Sequence, residues 1–270
     1  MTTQTSWFIH DLNPIAFSIG GEAVPWYWLN YLFGFFWCFM GLRFLAKKSP
    51  SSYIDQDDMT QFAVWSWFGM LLGARLTYIL LYNLKWFKEN PDQIVAIWNG
   101  GMSFHGGLIG VAIAAWLTSH IRRASFFTFT DRLATLIAWP LATGRICNFI
   151  NGELPGRPTG VAWAVMFPEP WNDFPRHPSQ LYEALTEGVL LGLLMLWAYP
   201  RWHRISGALS AIFLAGYGSL RFLTEFSREP DPQLGFLLPG FTMGQLLCIL
   251  MLVCAIFIAS RLSSQSRPND

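Results

Sequence analysis

Apolar runs of about twenty residues recur seven times along the chain, and the segments between them hold most of its proline and charge. The runs fall at about 26–46, 62–82, 102–120, 131–148, 181–199, 205–223 and 241–261. A bilayer core takes about 20 apolar residues per helix, so the pattern predicts an all-α polytopic membrane protein with seven transmembrane helices. Residues 1–25 are polar to mixed, with Asp11 and Glu22 and no Lys or Arg. The longest connection, 149–180, holds six prolines (155, 158, 168, 170, 175 and 178) and is too polar and broken to span. It is read as a small folded head on one face of the membrane. Neither a repeat of 20–50 residues nor a low-complexity segment divides the chain, so residues 1–270 form a single integral membrane domain.

Composition agrees. Hydrophobic residues make up 53% of the chain and charged ones only 13%, against about 25% charged in a soluble domain. The net charge of +1 says nothing about partners, but its distribution orients the chain, because cytoplasmic loops collect Lys and Arg. One face gathers Arg43, Lys47, Lys48, Arg122, Arg123, Arg132, Arg201, Arg204, Arg261 and Arg267; the other has Lys85, Lys88, Arg157, Arg176 and Arg228. This puts the first face in the cytoplasm, the N-terminus outside and the C-terminus inside. The pairs Gly69/Gly73, Gly106/Gly110, Gly188/Gly192 and Gly240/Gly244 have the small-xxx-small spacing that lets helices pack closely. Cys38, Cys147, Cys248 and Cys254 lie in or beside apolar runs without a C-x-x-C, and read as buried hydrophobes rather than a disulfide or metal set. The N-terminus lacks a basic n-region and an A-x-A pattern, so no removable signal peptide is read there.

Three basic residues, Arg75, Arg145 and Arg221, fall within spans or at their ends. Each costs at least a few kcal/mol of insertion free energy and is a functional-site hypothesis by default, with snorkelling to a headgroup and a structural ion pair as the plainer alternatives. Under the predicted topology spans two, four and six run outward, delivering Arg145 and Arg221 near the outer surface and Arg75 roughly 10 Å below it at about 1.5 Å per residue. Spans one and three run inward from Tyr27 and His105. Polar groups from five helices thus converge on the outer leaflet. Two guanidiniums at one depth suit a phosphate, whose oxygens match the planar fork bidentately, and the phosphate available there is a phospholipid headgroup. Arg75 has no obvious partner, and a structural role stands beside a functional one.

The stretch from Gly144 to Gly156, GRICNFINGELPG, carries the densest polar set: Arg145, Asn148, Asn151 and Glu153. Glu153 and Asn151 are placed to hold Arg145 or to bind a glycerol hydroxyl. Glu225 is four residues after Arg221 and can pair with it on one helix face. His105 is flanked by Gly101, Gly106 and Gly107, which leave room for close approach. An imidazole titrates near neutrality, so it is the candidate general base; an interfacial histidine is the plainer alternative. His10, His120, His177 and His203 form no H-E-x-x-H, no G-x-S-x-G is present, and no phosphate-binding loop or basic stripe argues for nucleotide or nucleic acid. No cofactor or metal is called for. A carrier for an anionic solute would also hold arginines, but would want charge deep in the cytoplasmic half of its spans, which the sequence lacks. An enzyme acting on phospholipid is favoured.

The sequence resembles the prolipoprotein diacylglyceryl transferase family. The family signature (Gly-Arg, two variable positions, Asn-Phe, an apolar residue, Asn, one position, Glu, two positions, Gly) is met throughout by Gly144–Gly156, with Cys147 at a variable position. The WYWLNYLFGFF run at 26–36, SFHGGL at 103–108, RHPSQLYEA at 176–184, RFLTEFSREPD at 221–231 and TMGQ at 242–245 look like further family motifs, in the expected order. The resemblance implies an enzyme of the bacterial inner membrane with seven transmembrane helices and a periplasmic head. It implies transfer of the diacylglyceryl group of phosphatidylglycerol to the lipobox cysteine of a prolipoprotein signal peptide, with release of glycerol 1-phosphate. By motif position it carries over Tyr27, His105, Arg145, Asn148, Glu153, Gly156, Arg221 and Glu225 as site residues. His105, Arg145 and Arg221 are expected to be catalytic. Tyr27, Asn148, Asn151, Glu153, Gly156 and Glu225 are expected to bind substrate beside the two arginines.

Overall fold

The computed structural model describes residues 7–48, 54–97, 100–230, 236–238 and 240–265. Arg267, counted above for orientation, and Asp231, within one of the motifs, lie outside the described residues. In chain order the elements are β1 (Phe8–Ile9), β2 (Ile15–Ile19), β3 (Glu22–Pro25), α1 (Trp26–Lys48), α2 (Gln56–Tyr82), α3 (Leu84–Glu89), a 3₁₀ turn (Pro91–Ile94), α4 (Phe104–Ile121), α5 (Phe126–Leu136), α6 (Ala138–Ile150), β4 (Val165–Met166), α7 (Ser179–Glu183), a π-helical segment (Ala184–Leu190), α8 (Leu191–Trp202), α9 (Ala208–Thr224), β5 (Phe236–Leu238), β6 (Phe241–Thr242) and α10 (Met243–Gln265). They form two compact units, Phe35–Leu133 and the remainder of the chain on either side of it.

Among the described residues α1, α2, the continuous α7–α8 helix and α10 are long and apolar enough to cross a membrane. The α5–α6 pair makes a fifth crossing if it counts as one span, and α4 and α9 are shorter apolar helices. The expectation of one unbroken helix over 131–148 needs correction, because the chain breaks between Leu136 and Ala138. Pro140 explains the position. It has no N–H for the carbonyl four residues back, that of Leu136, and its ring crowds the same carbonyl.

In the Phe35–Leu133 unit, α2 opens on a capping box. Asp55 accepts from the backbone of Asp57 and Asp58, and the Asp58 side chain accepts from the Asp55 N–H. Such a cap contributes about 1 kcal/mol. Helices α2 and α4 pack through glycines. A Cβ at Gly69 would lie 2.6 Å from the Gly110 carbonyl oxygen, and Gly73 and Gly106 face one another's carbonyls still more closely. Two of the four spacings seen in the sequence are thus halves of one helix–helix contact. Phe62 and Phe129 meet at 5.1 Å in the core, and Arg122 pairs with Asp58 at 2.8 Å.

In the other unit, Gly188 and Gly192 let the π segment and α8 approach Ala142 and Trp139 of α6. Gly240 behaves differently from the expected helix contact: it precedes α10, with φ +84° and no atom within 4 Å of a built Cβ. The N-terminal residues, read only as polar, form the hairpin β2–β3, and β1 pairs in parallel with β4 inside the 149–180 segment. His10 helps fasten that segment, its Nε2 lying 2.6 Å from the Phe149 carbonyl oxygen and its ring stacking on Phe167.

Candidate active site

Arg145 sits in the last two turns of α6, where the 13-residue helix has left the Pro140 break behind. Its Nε is 2.9 Å from Glu183 Oε2 and its Nη2 3.6 Å from Glu187 Oε2. The same two carboxylates receive Arg221 from α9: Nη1 is 2.5 Å from Glu183 Oε1 and 3.3 Å from Glu187 Oε1. Arg221 Nη2 meets Glu225 at 2.5 Å, the expected i, i+4 pair. Arg228, just beyond α9, adds a third guanidinium, 3.3 Å from Glu183 Oε1. Three guanidiniums therefore face three carboxylates, and their formal charges balance. Glu183 and Glu187 are each 1% exposed, so the balance matters: an unpaired charge at that depth is strongly destabilising, and a paired one is tolerated.

Hydroxyls add a hydrogen bond to two of the carboxylates. Thr224 donates to Glu187 at 2.9 Å and Thr242 to Glu225 at 2.7 Å. A Cβ at Gly244 would be 2.6 Å from Glu225 Oε1, so the first turn of α10 admits a carboxylate only because that residue is glycine. Gln245 closes the corner by accepting from the Thr242 N–H at 3.1 Å. Glu183 ends α7 and Glu187 lies within the π segment; such local rewinding with i→i+5 bonding is frequent at functional sites.

A second cluster is built on the same segment of α6. Asn148 donates to Glu153 Oε1 at 2.7 Å and Asn151 at 3.2 Å, and the Glu153 carbonyl accepts from Gln180 at 2.6 Å. Glu153 thus holds two asparagines, while the carboxylates on Arg145 are Glu183 and Glu187. Asn151 keeps its Oδ1 buried without a hydrogen bond among the described residues. Gly156 is boxed in by backbone: its N–H donates to the His177 carbonyl at 2.9 Å, and a Cβ would be 2.5 Å from the Ser227 oxygen. Tyr27, half-buried at the start of α1, stands edge-on to Tyr31 at 5.2 Å.

The structure thus gathers Arg145, Asn148, Asn151, Glu153, Gly156, Arg221 and Glu225 into two neighbouring clusters of one unit. His105 belongs to the other unit, exposed in the first turn of α4. Sequence reading missed Glu183 and Glu187 as individual residues, with their partners Arg228 and Thr224, and missed Thr242 as the partner of Glu225. The signal was present: two acids four apart inside an otherwise apolar run need partners. Tyr217, buried one turn before Arg221 at the i, i+4 spacing, was also passed over. In the 149–180 segment Trp163 Nε1 donates to Tyr182 Oη at 2.7 Å, and that hydroxyl also shares a hydrogen bond with His177 Nδ1, 3.2 Å away. Burial holds the His177 imidazole below its ordinary pKa.

A helical, multi-pass membrane protein with a charge-balanced arginine–carboxylate site is the class that these observations define. The family model for prolipoprotein diacylglyceryl transferase matches residues 14–261. Relatives named phosphatidylglycerol–prolipoprotein diacylglyceryl transferase include one from Bordetella parapertussis, 47% identical over 244 residues and covering 90% of this chain and 92% of its own. Another, from Nitratidesulfovibrio vulgaris, is 48% identical over 242 residues, with 88% and 89% covered. A third, from Aliivibrio salmonicida, is 44% identical over 245 residues, with 90% and 84% covered. The chain belongs to the prolipoprotein diacylglyceryl transferase family.

Proposed function

We propose that this protein transfers the sn-1,2-diacylglyceryl group of phosphatidylglycerol to the thiol of the lipobox cysteine in a prolipoprotein signal peptide. The observation that carries the reading is the pair Arg145 and Arg221, held side by side on the shared carboxylates Glu183 and Glu187. Such an array holds guanidinium N–H donors in a fixed orientation, so little reorganisation is needed when a phosphate arrives.

The thiol sulfur attacks the glycerol carbon that bears the phosphate. A C–S bond forms, the C–O bond breaks, and glycerol 1-phosphate leaves with the electron pair. A lipobox thiol with its usual pKa of about 8.5 must lose its proton first, and His105 is the base that takes it. Negative charge grows on the leaving phosphate. Arg145 and Arg221 stabilise it, each well-aimed donor contributing about 3 kcal/mol. Arg145 is the more open of the two, its side chain 21% exposed against 11% for Arg221, and is assigned the first contact with the lipid phosphate. Asn148, Asn151 and Glu153 receive the glycerol headgroup, Tyr27 and Gly156 border it, and Glu225 orients Arg221.

The seven-span reading counts α1, α2, the α7–α8 helix, α10, the broken α5–α6 pair and the shorter helices α4 and α9. It places the chain in the bacterial inner membrane with the N-terminus and the 149–180 head in the periplasm, the C-terminus in the cytoplasm and the site in the outer leaflet. The purified protein, given phosphatidylglycerol and a lipobox peptide, is expected to release glycerol phosphate and to raise the peptide mass by one diacylglyceryl group. Arg145→Ala and a Cys→Ser peptide should abolish both signals. Glycerol phosphate without the peptide shift identifies a phospholipase and refutes the transfer.

A further inference from the structure

Arg75 lies in α2 and is 6% exposed, yet no carboxylate pairs with it among the described residues. Its guanidinium points instead into the backbone of the segment that leads into α4. Nε donates to the Ile94 carbonyl at 3.0 Å. Nη1 donates to Gly100 at 2.5 Å and to Gly101 at 3.0 Å. Nη2 donates to Gln93 at 2.5 Å and to Ala96 at 3.3 Å. A guanidinium has five N–H bonds, and here all five are committed to carbonyl oxygens. The Phe87 ring covers the group at 5.0 Å. Arg75 therefore has no donor left for a phosphate.

The adjoining residue completes the fastening. The Ala74 carbonyl accepts the Ser103 N–H at 3.0 Å, and Ser103 caps α4 by accepting from Gly106. Between these anchors Gly100 and Gly101 adopt φ +82° and +74°, and a Cβ at Gly101 would lie 2.8 Å from Arg75 Nη1. Side chain and main chain at positions 74–75 thus lace down both sides of the turn, and His105 follows two residues after Ser103.

We propose that Arg75 is a positioning residue: it fixes the Gly100–Ser103 turn and so the orientation of His105, without touching the lipid phosphate. The proposal rests on the reading of His105 as the base. Backbone carbonyls shielded from water need partners, and one saturated guanidinium supplies them here.

The test compares Arg75→Met, Arg75→Lys and Arg75→Ala with the wild type, in detergent with phosphatidylglycerol and lipobox peptide. Turnover, both KM values and hydrogen exchange of peptides spanning 100–110 are measured. The expected result is a fall in kcat of about 100-fold for Met and about tenfold for Lys, with KM for phosphatidylglycerol within about twofold. Exchange at the turn should be faster, and free guanidinium should partly restore Arg75→Ala, since a cavity of about 140 Å³ adjoins the group. The double variant Arg75→Lys/His105→Gln should be scarcely slower than His105→Gln alone, as for two residues acting through one step. A rise in KM for phosphatidylglycerol with kcat kept makes Arg75 a phosphate ligand and overturns the proposal. Unchanged turnover and exchange overturn it as well. If His105→Gln keeps wild-type turnover, the base assignment is what fails; if that variant is inactive and the Arg75 variants are not, the positioning role fails alone. Should Arg75→Met not fold, Arg75→Lys carries the same kinetic and exchange comparison.

Discussion

Replacing Glu183 with Gln keeps the shape of the side chain and removes the one charge that touches all three arginines of the site. Three ion pairs go with it, at 2.9 Å to Arg145, 2.5 Å to Arg221 and 3.3 Å to Arg228. At an effective dielectric near 20 a unit pair at about 4 Å is worth about 4 kcal/mol, so three such pairs come to roughly 10 kcal/mol gross. Returning one carboxylate to water recovers several kcal/mol of desolvation, which leaves a net loss of about 3–5 kcal/mol, the usual cost of breaking a buried pair from one side. At roughly 2–4 °C per kcal/mol for a chain of this size, the midpoint of thermal unfolding in detergent should drop on the order of 10 °C. The decisive comparison is a double-mutant cycle with Arg228→Met. Removing one charge of each sign restores the balance, so the double variant should fall short of the sum of the single losses by at least about 3 °C. Strict additivity, or a Glu183→Gln midpoint within about 2 °C of wild type, refutes charge balance as what holds the site.

Gly110→Ala places a Cβ against the Gly69 carbonyl oxygen, and helix backbones must separate to admit it; a loss of about 1–3 kcal/mol is expected in thermal unfolding. Gly107→Ala, whose Cβ would meet the flexible Met70 side chain at 3.3 Å and otherwise only ordinary contacts at 3.5 Å and 3.7 Å, should stay near wild type. His177 has a folded pKa below its unfolded value of about 6.5. Unfolding therefore takes up a proton at acid pH, and stability present above about 6.5 is lost as the pH falls through that value toward the folded one. His177→Gln should flatten the decline in midpoint between about pH 7 and 5.5, and an unchanged slope rejects the assignment. Glu153→Ala frees both Asn148 and Asn151, and should raise KM for phosphatidylglycerol at least about tenfold with little change in that for peptide; equal effects on both substrates count against a headgroup role.

Local chemistry was legible and distant pairing was not. The helices announced themselves by apolar length. The Arg221–Glu225 pair followed from i, i+4 spacing, and Asn148, Asn151 and Glu153 were close in sequence before they were close in space. Pro140 was legible as a helix breaker but was absorbed into an apolar run. Glu183 was visible only as part of a motif and Glu187 was not singled out, because their partner Arg221 comes from 38 and 34 residues away. Arg75 had no partner at helical spacing; it found five carbonyls 18 to 26 residues downstream, in a segment without periodicity. The parallel pairing of β1 with β4 joins Phe8 to Val165, a register that no two-residue strand specifies by itself.

The chain leaves the ribosome in order, and the arginine–carboxylate network does not exist until nearly all of it has emerged. Arg145 reaches the bilayer first, ahead of Glu183 by 38 positions and of Arg221 by twice that number. Until α7 and the π segment arrive, its charge must be met by water, by lipid headgroups or by the translocation machinery. Insertion therefore precedes assembly here, and the late helices act as the closure of a site whose first residue has already been waiting in the membrane. A chain truncated between Glu187 and Arg221 would carry two acids against one arginine at the core of the bundle, and quality control would meet it as an uncompensated polar span rather than as a folded protein missing its tail.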